Sequence, residues 1–241
     1  MNLVRFRFRG RFAHFLRAEA NVSALGYPIP PRTVLLGLLG AVLGLEKDLP
    51  QVALEPALIA VAGQLPATHW HNAKFRKDPP AALPIVIRRT MTRREEGAPE
   101  RATMVNQEWL LDPDFTVWAG LSEPWLGDLS ARLRDRRWYF SPCLGLSEML
   151  ADLTWEADVE GTPLPSGNHR ISTVIPRDSG EIDLDTVFAE SLTLHALSMP
   201  RAVTAERVFS HAGYFAEKNA RPVPVRTTQA IAAGEHIILF M

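Results

Sequence analysis

Residues 69–76 read His69-Trp70-His71-Asn72-Ala73-Lys74-Phe75-Arg76, and two histidines one residue apart would share a face of a strand, as a metal site requires. No convincing third ligand stands near them. The run fits better as a contact to a nucleotide backbone or a neighbouring protein, with His71, Asn72, Lys74 and Arg76 donating. Trp70 and Phe75 offer rings to bases, core packing being the better account of at least one of them. A second donor-rich stretch, Leu3 to Arg17, places arginine at 5, 7, 9 and 11. Same-face residues of a strand repeat every ~6.6–6.8 Å, comparable with successive phosphates of an extended single strand, although a solvated strand face is the plain alternative. His14 follows, able to bond a phosphate, stack on a base, or serve as a satisfied structural histidine. Asp112, Asp114, Asp152 and Asp158 are scattered and form no motif for catalytic Mg²⁺, which disfavours a two-metal nuclease.

The charge pattern supports a localised polyanion site. The whole chain carries a net charge of -1 over 241 residues. Residues 1–32 nevertheless hold Arg5, Arg7, Arg9, Arg11, Arg17 and Arg32 against Glu19, an excess of five positive charges. Residues 69–101 hold Lys74, Arg76, Lys77, Arg88, Arg89, Arg93, Arg94 and Arg101 against Asp78, Glu95, Glu96 and Glu100, an excess of four, leaving the remainder at -10. Two basic segments on an acidic body favour one polyanion site over indiscriminate binding.

Those segments need elements to hold them. Leu3 to Phe12 alternates, with Val4, Phe6 and Phe8 on one face and the arginines on the other, as a half-buried strand requires. Pro30 and Pro31 then lead through Thr33 into an apolar helix ending near Leu45. Its glycines, Gly37, Gly40 and Gly44, share roughly one face, where each costs about 1 kcal/mol against alanine, so close packing on the sheet is the expected compensation. The free amides at the N-terminus of this helix, beside Arg32 and Thr33, suit a phosphate. Strands follow at Ala57 to Gly63 and Asp114 to Leu121. The 50 or so residues between them exceed an ordinary connection and suggest a projecting hairpin, with a strand-like run Leu83 to Arg88 and a turn near residues 95–99. A helix at Glu123 to Arg134, a strand at Trp138 to Phe140, a turn at residues 141–147 and a strand at Leu153 to Val159 complete the order β-α-β-(insert)-β-α-β. That order is ferredoxin-like, of the RNA-recognition type. The fold class is therefore α+β, with residues 1–160 as one domain, 67–113 as its inserted thumb, and 161–241 as a smaller, proline-rich, strand-poor C-terminal region closed by His236 to Phe240.

Composition excludes several classes. Hydrophobic residues make up 46% and charged residues 22%, as in soluble globular chains. Cys143 is the single cysteine, so there is no disulfide framework or cysteine zinc cluster, and a reducing cytoplasm is the default. No secretory signal is evident, and the longest apolar run, Val34 to Leu45, falls short of the ~20 residues that span a bilayer, so no membrane partner is expected.

Phe12-Ala-His-Phe15, then Tyr27-Pro-Ile-Pro-Pro-Arg-Thr33 leading into Leu35-Leu-Gly-Leu-Leu-Gly40 and Leu43-Gly-Leu45, resembles the N-terminal signature of the CRISPR-associated Cas-five family, within the RAMP superfamily. Tyr139-Phe-Ser-Pro-Cys-Leu-Gly-Leu-Ser-Glu148 with Ala151-Asp152, and Glu235-His-Ile-Ile-Leu-Phe240, are similar to its later blocks, the type I-B variety most of all. The resemblance implies a CRISPR RNA-binding subunit of a Cascade surveillance complex that caps the 5′ handle of the guide. Its implied partners are the Cas-seven backbone subunits, the Cas-eight large subunit and, in the assembled complex, target DNA. On this view Arg9, His14, Arg17, Arg32 and Thr33 grip the RNA, the thumb adds Arg88, Arg89, Arg93 and Arg94, and Gly145 brings backbone amides near the handle or forms a strand-end turn. Some type I-C relatives cleave the precursor with tyrosine, lysine and histidine. The matching pieces here are Tyr27, His14, His71 and Lys74, but the thumb lacks an adjacent Lys-His pair. The expectation is a non-catalytic subunit without cofactor or metal, with processing left to a Cas-six enzyme. A metal-independent endoribonuclease is the alternative, and a protein-interaction module without RNA is the blander one.

Overall fold

A computed structural model of the protein describes residues 1–17, 19–20, 23–76 and 102–241. The alternation of the first strand survives as β1 (Asn2–Arg9), but the strand stops at Gly10. A Cβ there would lie 2.4 Å from Leu144 Cδ1 and 3.0 Å from the Leu150 carbonyl, so the chain passes that turn closely before resuming as β2 (Phe12–Ala13), β3 (Phe15–Leu16), β4 (Ser23–Ala24) and β5 (Gly26–Tyr27).

Helix α1 (Arg32–Leu43) begins directly after Pro31 and ends on Gly44, whose φ of 85° is a left-handed cap; the amides of Gly44 and Leu45 both donate to the Gly40 carbonyl. The glycines do not pack on the sheet as expected. A Cβ on Gly40 would meet Pro50 Cγ at 2.1 Å, in the short helix α2 (Pro50–Ala53), and one on Gly44 would meet the Tyr139 ring at 2.8 Å, whereas Gly37 faces open space. Close approach to α2 and to Tyr139 is what requires glycine at positions 40 and 44, and nothing packed near Gly37 does so there.

The chain continues through β6 (Leu58–Ala62), β7 (Thr68–Arg76), β8 (Ala102–Leu111), β9 (Asp114–Gly120), α3 (Trp125–Arg134) and β10 (Asp152–Pro163). Helix α3 buries Leu126, Leu129 and Leu133 along one stripe and shows Asp128 and Arg132, paired at 2.9 Å, on its flank. The segment expected as a strand at Trp138 to Phe140 is none. Its amides are drawn elsewhere: Tyr139 and Phe140 donate to the Val42 and Ala41 carbonyls, which the end of α1 leaves without helical partners.

The C-terminal region is strand-rich, against expectation: β11 (Gly167–Ile171), β12 (Ile175–Pro176), β13 (Glu181–Ile182), α4 (Leu184–Ala189), β14 (Leu194–Val203), β15 (Phe209–Glu217), β16 (Val223–Thr227), β17 (Ile231–Ala233) and β18 (His236–Ile238). Pro176 ends a strand, and Pro200 sits at the irregularity where β14 and β15 shift register, so ladders form around prolines that look prohibitive in sequence.

A six-stranded sheet runs in the order β18-β17-β10-β1-β9-β6, with β1 antiparallel to both β9 and β10. The expected boundary at residues 160/161 falls inside β10, and β17 and β18 extend the same sheet. Phe6, Phe8, Phe115, Val117 and Leu153 meet Leu35, Leu36, Leu39, Leu129 and Leu133 in the main core. Beyond the sheet, β7 and β8 pair antiparallel in register from Thr68↔Leu110 to Arg76↔Ala102, joined by β2 and β4. Among the described residues no helix is long and apolar enough to cross a membrane.

Candidate nucleic-acid interface

The arginine face of β1 is where the sequence concentrates positive charge, and the sheet answers it with carboxylates. Arg5 pairs with Glu235 (2.6 Å) and Glu156 (3.0 Å), and Arg7 makes a two-point contact with Asp114. Arg9 reaches Asp152 Oδ2 at 2.9 Å while Arg136 takes Oδ1 at 2.8 Å, and these guanidinium groups, Arg136 foremost, hold the Asp152 carboxyl below its ordinary range. Asp114 and Asp152 belong to the acids that looked scattered. Strand pairing brings them together with the basic row.

Arg32 is withdrawn further. Only 3% exposed, it grips Glu55 through both terminal nitrogens at 2.5 and 2.8 Å and donates to the Ala57 carbonyl at 2.8 Å. Hydrogen bonding to Arg32 is the main reason the Glu55 carboxyl sits below its usual range. Its guanidinium braces the start of α1 against β6. Thr33 accepts a hydrogen bond from Gln51 on its carbonyl (2.8 Å) and stands at the rim of an apolar groove of about 730 Å³ lined also by Gly37, Val52, Phe140 and Phe209.

His14 and Gly145, far apart in sequence, lie back to back. The His14 amide donates to the Leu144 carbonyl at 2.9 Å, and a Cβ on Gly145, whose φ is 98°, would stand 2.0 Å from the His14 carbonyl oxygen. The imidazole is 2% exposed, with Nδ1 against the Glu108 carbonyl at 2.8 Å and Nε2 without a hydrogen-bond partner among the described residues. Arg17 and Tyr27 also meet: Arg17 Nε donates to the Gly26 carbonyl at 3.0 Å and its guanidinium lies 5.5 Å from the centre of the Tyr27 ring. The buried phenol of Tyr27 donates to Glu19 (3.3 Å) and contacts His211 Nε2 (3.4 Å). His211 was missed in the sequence, lying 184 residues from Tyr27 with no local signal to mark it.

Across the β7–β8 pair, His71 stacks on Trp109 with centroids 3.9 Å apart and planes 25° apart. Trp109 in turn contacts Phe12 at 5.3 Å, and Arg11 lies 5.3 Å over Phe12. Asn72 and Lys74 fall on the opposite face from His71 and are exposed, and Trp70 and Phe75 are 51% and 45% exposed, so neither ring belongs to the core. Trp109, also overlooked, stands directly opposite His69 in the register. Arg76 closes β7. Arg88, Arg89, Arg93 and Arg94, the run Leu83 to Arg88 and the turn at 95–99 lie outside the described residues. No group of three potential metal ligands occurs among the described residues. Burial raises the Cys143 thiol above its ordinary range, which makes it a poor nucleophile at neutral pH.

Trp70 and Phe75 are thus exposed rings beside the exposed Lys74. Residues 3–218 match the family described as CRISPR-associated protein (Cas_Cas5), and the chain belongs to that CRISPR-associated Cas-five family. Two solved structures are similar in fold. One is a chain of a CRISPR RNA-guided surveillance complex, 17% identical, with a TM-score of 0.57 over 92% of this chain and 91% of that one. The other is a CRISPR protein from Archaeoglobus fulgidus, 14% identical, with a TM-score of 0.52 over 98% of this chain and 97% of that one. No curated protein matches the chain significantly.

Proposed function

We propose that this chain is the CRISPR RNA-binding subunit of a type I surveillance complex, of the I-B variety, holding the 5′ handle of the guide in the cytoplasm. It would bridge Cas-seven backbone subunits and a Cas-eight large subunit, with target DNA entering once the complex is assembled. The observation that carries this reading is the family match over residues 3–218. Geometry adds two supports. The order β10-β1-β9-β6, with α1 after β1 and α3 after β9, supports reading the sheet as ferredoxin-like, the scaffold of RNA-recognition domains. The β7–β8 pair, read as part of the thumb within 67–113, presents the Phe12–Trp109–His71 ring cluster with Arg11 at one end.

The subunit is read as non-catalytic. The imidazole of His14 is sealed from solvent, and His71 and Lys74 lie on opposite faces of β7, an arrangement unsuited to acting together on one phosphate. One contact favours the alternative, a metal-independent endoribonuclease: the Tyr27 phenol against His211. Incubating labelled precursor RNA with the purified chain in EDTA separates the two. Tight binding with intact RNA is expected; specific cleavage abolished by Tyr27→Phe would establish the nuclease instead.

A further inference from the structure

Eleven arginines among the described residues are paired with carboxylates: Arg5, Arg7, Arg9, Arg32, Arg132, Arg134, Arg136, Arg137, Arg170, Arg207 and Arg221. A guanidinium already held by an acid must give it up before meeting a phosphate. The informative arginines are therefore the others, and two of them flank one contact. Arg17 lies over the Tyr27 ring, Tyr27 meets His211, and His211 lines an open cleft of about 390 Å³ together with Arg177, Asp178, Leu197, Ser198 and Gly213.

Arg177 is prepared for a ligand. It has no carboxylate partner among the described residues, and its guanidinium is laid over the Phe215 ring, 5.2 Å from the centroid. Its stem crosses β15 at Gly213, where a Cβ would come within 2.6 Å of Arg177 Cδ, so the absence of a side chain there is what lets the arginine lie flat. The cation is thus directed by packing, with no ion pair among the described residues. The cleft is lined by the donors Arg177 and His211 together with the acceptors of the Asp178 carboxylate and the Ser198 hydroxyl. A bare phosphate would be repelled by Asp178. A ribonucleotide satisfies both kinds of group, its phosphate on Arg177 and His211 and its 2′-hydroxyl or base N–H on Asp178.

We infer that this cleft between the turn Arg177–Ser179 after β12 and the β14–β15 hairpin is a nucleotide subsite, taking one ribonucleotide of a single-stranded RNA whose backbone runs from Arg17 past His211 to Arg177. The assignment rests on the RNA-binding function proposed above. The test is fluorescence anisotropy of a labelled mixed-sequence single-stranded RNA with the purified full-length chain in EDTA, over a salt series. Arg177→Ala and His211→Ala each weaken binding about tenfold at moderate salt and flatten the log–log salt slope by about 0.7–1, the share of one phosphate contact. Arg177→Lys keeps most of the slope, which separates charge from packing. Wild-type binding with unchanged affinity and slope in both alanine variants overturns the cleft alone. No RNA binding by the wild-type chain overturns the cleft and the function beneath it. Competition by 5′-AMP as effective as that by unlabelled RNA overturns the assignment to a polymer.

Discussion

The outward face of β1 and the corner around Tyr27 contain the same chemistry in opposite electrical states. On β1 the arginines are regular in sequence and neutralised in space, because β9, β10 and the turn before β18 each bring a carboxylate to the row. Around Tyr27 the cations Arg17 and Arg177 are irregular in sequence, lie over rings, and form no ion pair among the described residues, although Glu19 and Asp178 stand nearby. A cation–π contact orients a guanidinium without discharging it, whereas an ion pair does both. Local charge density therefore marks where arginines are, and the partners decide which of them can hold an anion.

The contrast can be broken most severely at Arg32. Glu55→Ala strands a guanidinium that is 3% exposed, and a stability loss of about 3 kcal/mol by urea denaturation is expected, low in the usual range for breaking a buried pair because Glu55 is itself partly exposed. The pH dependence has a definite sign. The Glu55 carboxyl is depressed in the folded state, so the pair's contribution is complete above its ordinary value of 4.5 and fades as pH falls through the lowered one. The gap between wild type and Glu55→Ala should stay constant from neutral pH down to that value and narrow below it. A gap indifferent to acid would show that Glu55 acts through packing.

A gentler change sharpens the contrast from the other side. Asp152→Ala releases Arg9 and Arg136 together, converting part of the neutral face into an uncommitted one. Affinity for single-stranded RNA at low salt should rise about threefold, with a steeper salt slope. The smallest effect is expected from Arg9→Ala, which removes an arginine already engaged: RNA affinity within about twofold of wild type and a stability loss below about 1 kcal/mol. A large loss of binding in Arg9→Ala would erase the distinction between the two regions.

Much of the scaffold was legible where the signal is local. The alternation of β1, the proline entry to α1, the oversized insert before β9 and the helix that became α3 each depend on a short window of sequence. Trp138 to Phe140 misled because its apolar residues fit a strand while its amides are claimed by α1, and the strands after Thr162 were hidden because proline counts against a ladder only when its position in that ladder is unknown. The site was legible in residue type and not in partnership. Arg9 and Asp152 are 143 residues apart, Arg5 and Glu235 are 230 apart, and nothing in either neighbourhood announces the other. His211 and Arg177 escaped for the same reason: the pairing of β15 with distant chain placed His211 beside Tyr27, and the turn after β12 placed Arg177 over Phe215.

The position of β1 between β9 and β10 also bears on how the chain is made. During synthesis this strand has no neighbour in the six-stranded sheet until residues 114–120 and then 152–163 have followed it. For that interval Leu3, Val4, Phe6 and Phe8 form an unpaired apolar edge, the kind of segment that invites association with other nascent chains. Arg5, Arg7 and Arg9, interleaved through it and not yet met by their acids, act then as gatekeepers. Charges that contribute little to binding once the sheet has closed protect the strand while it waits.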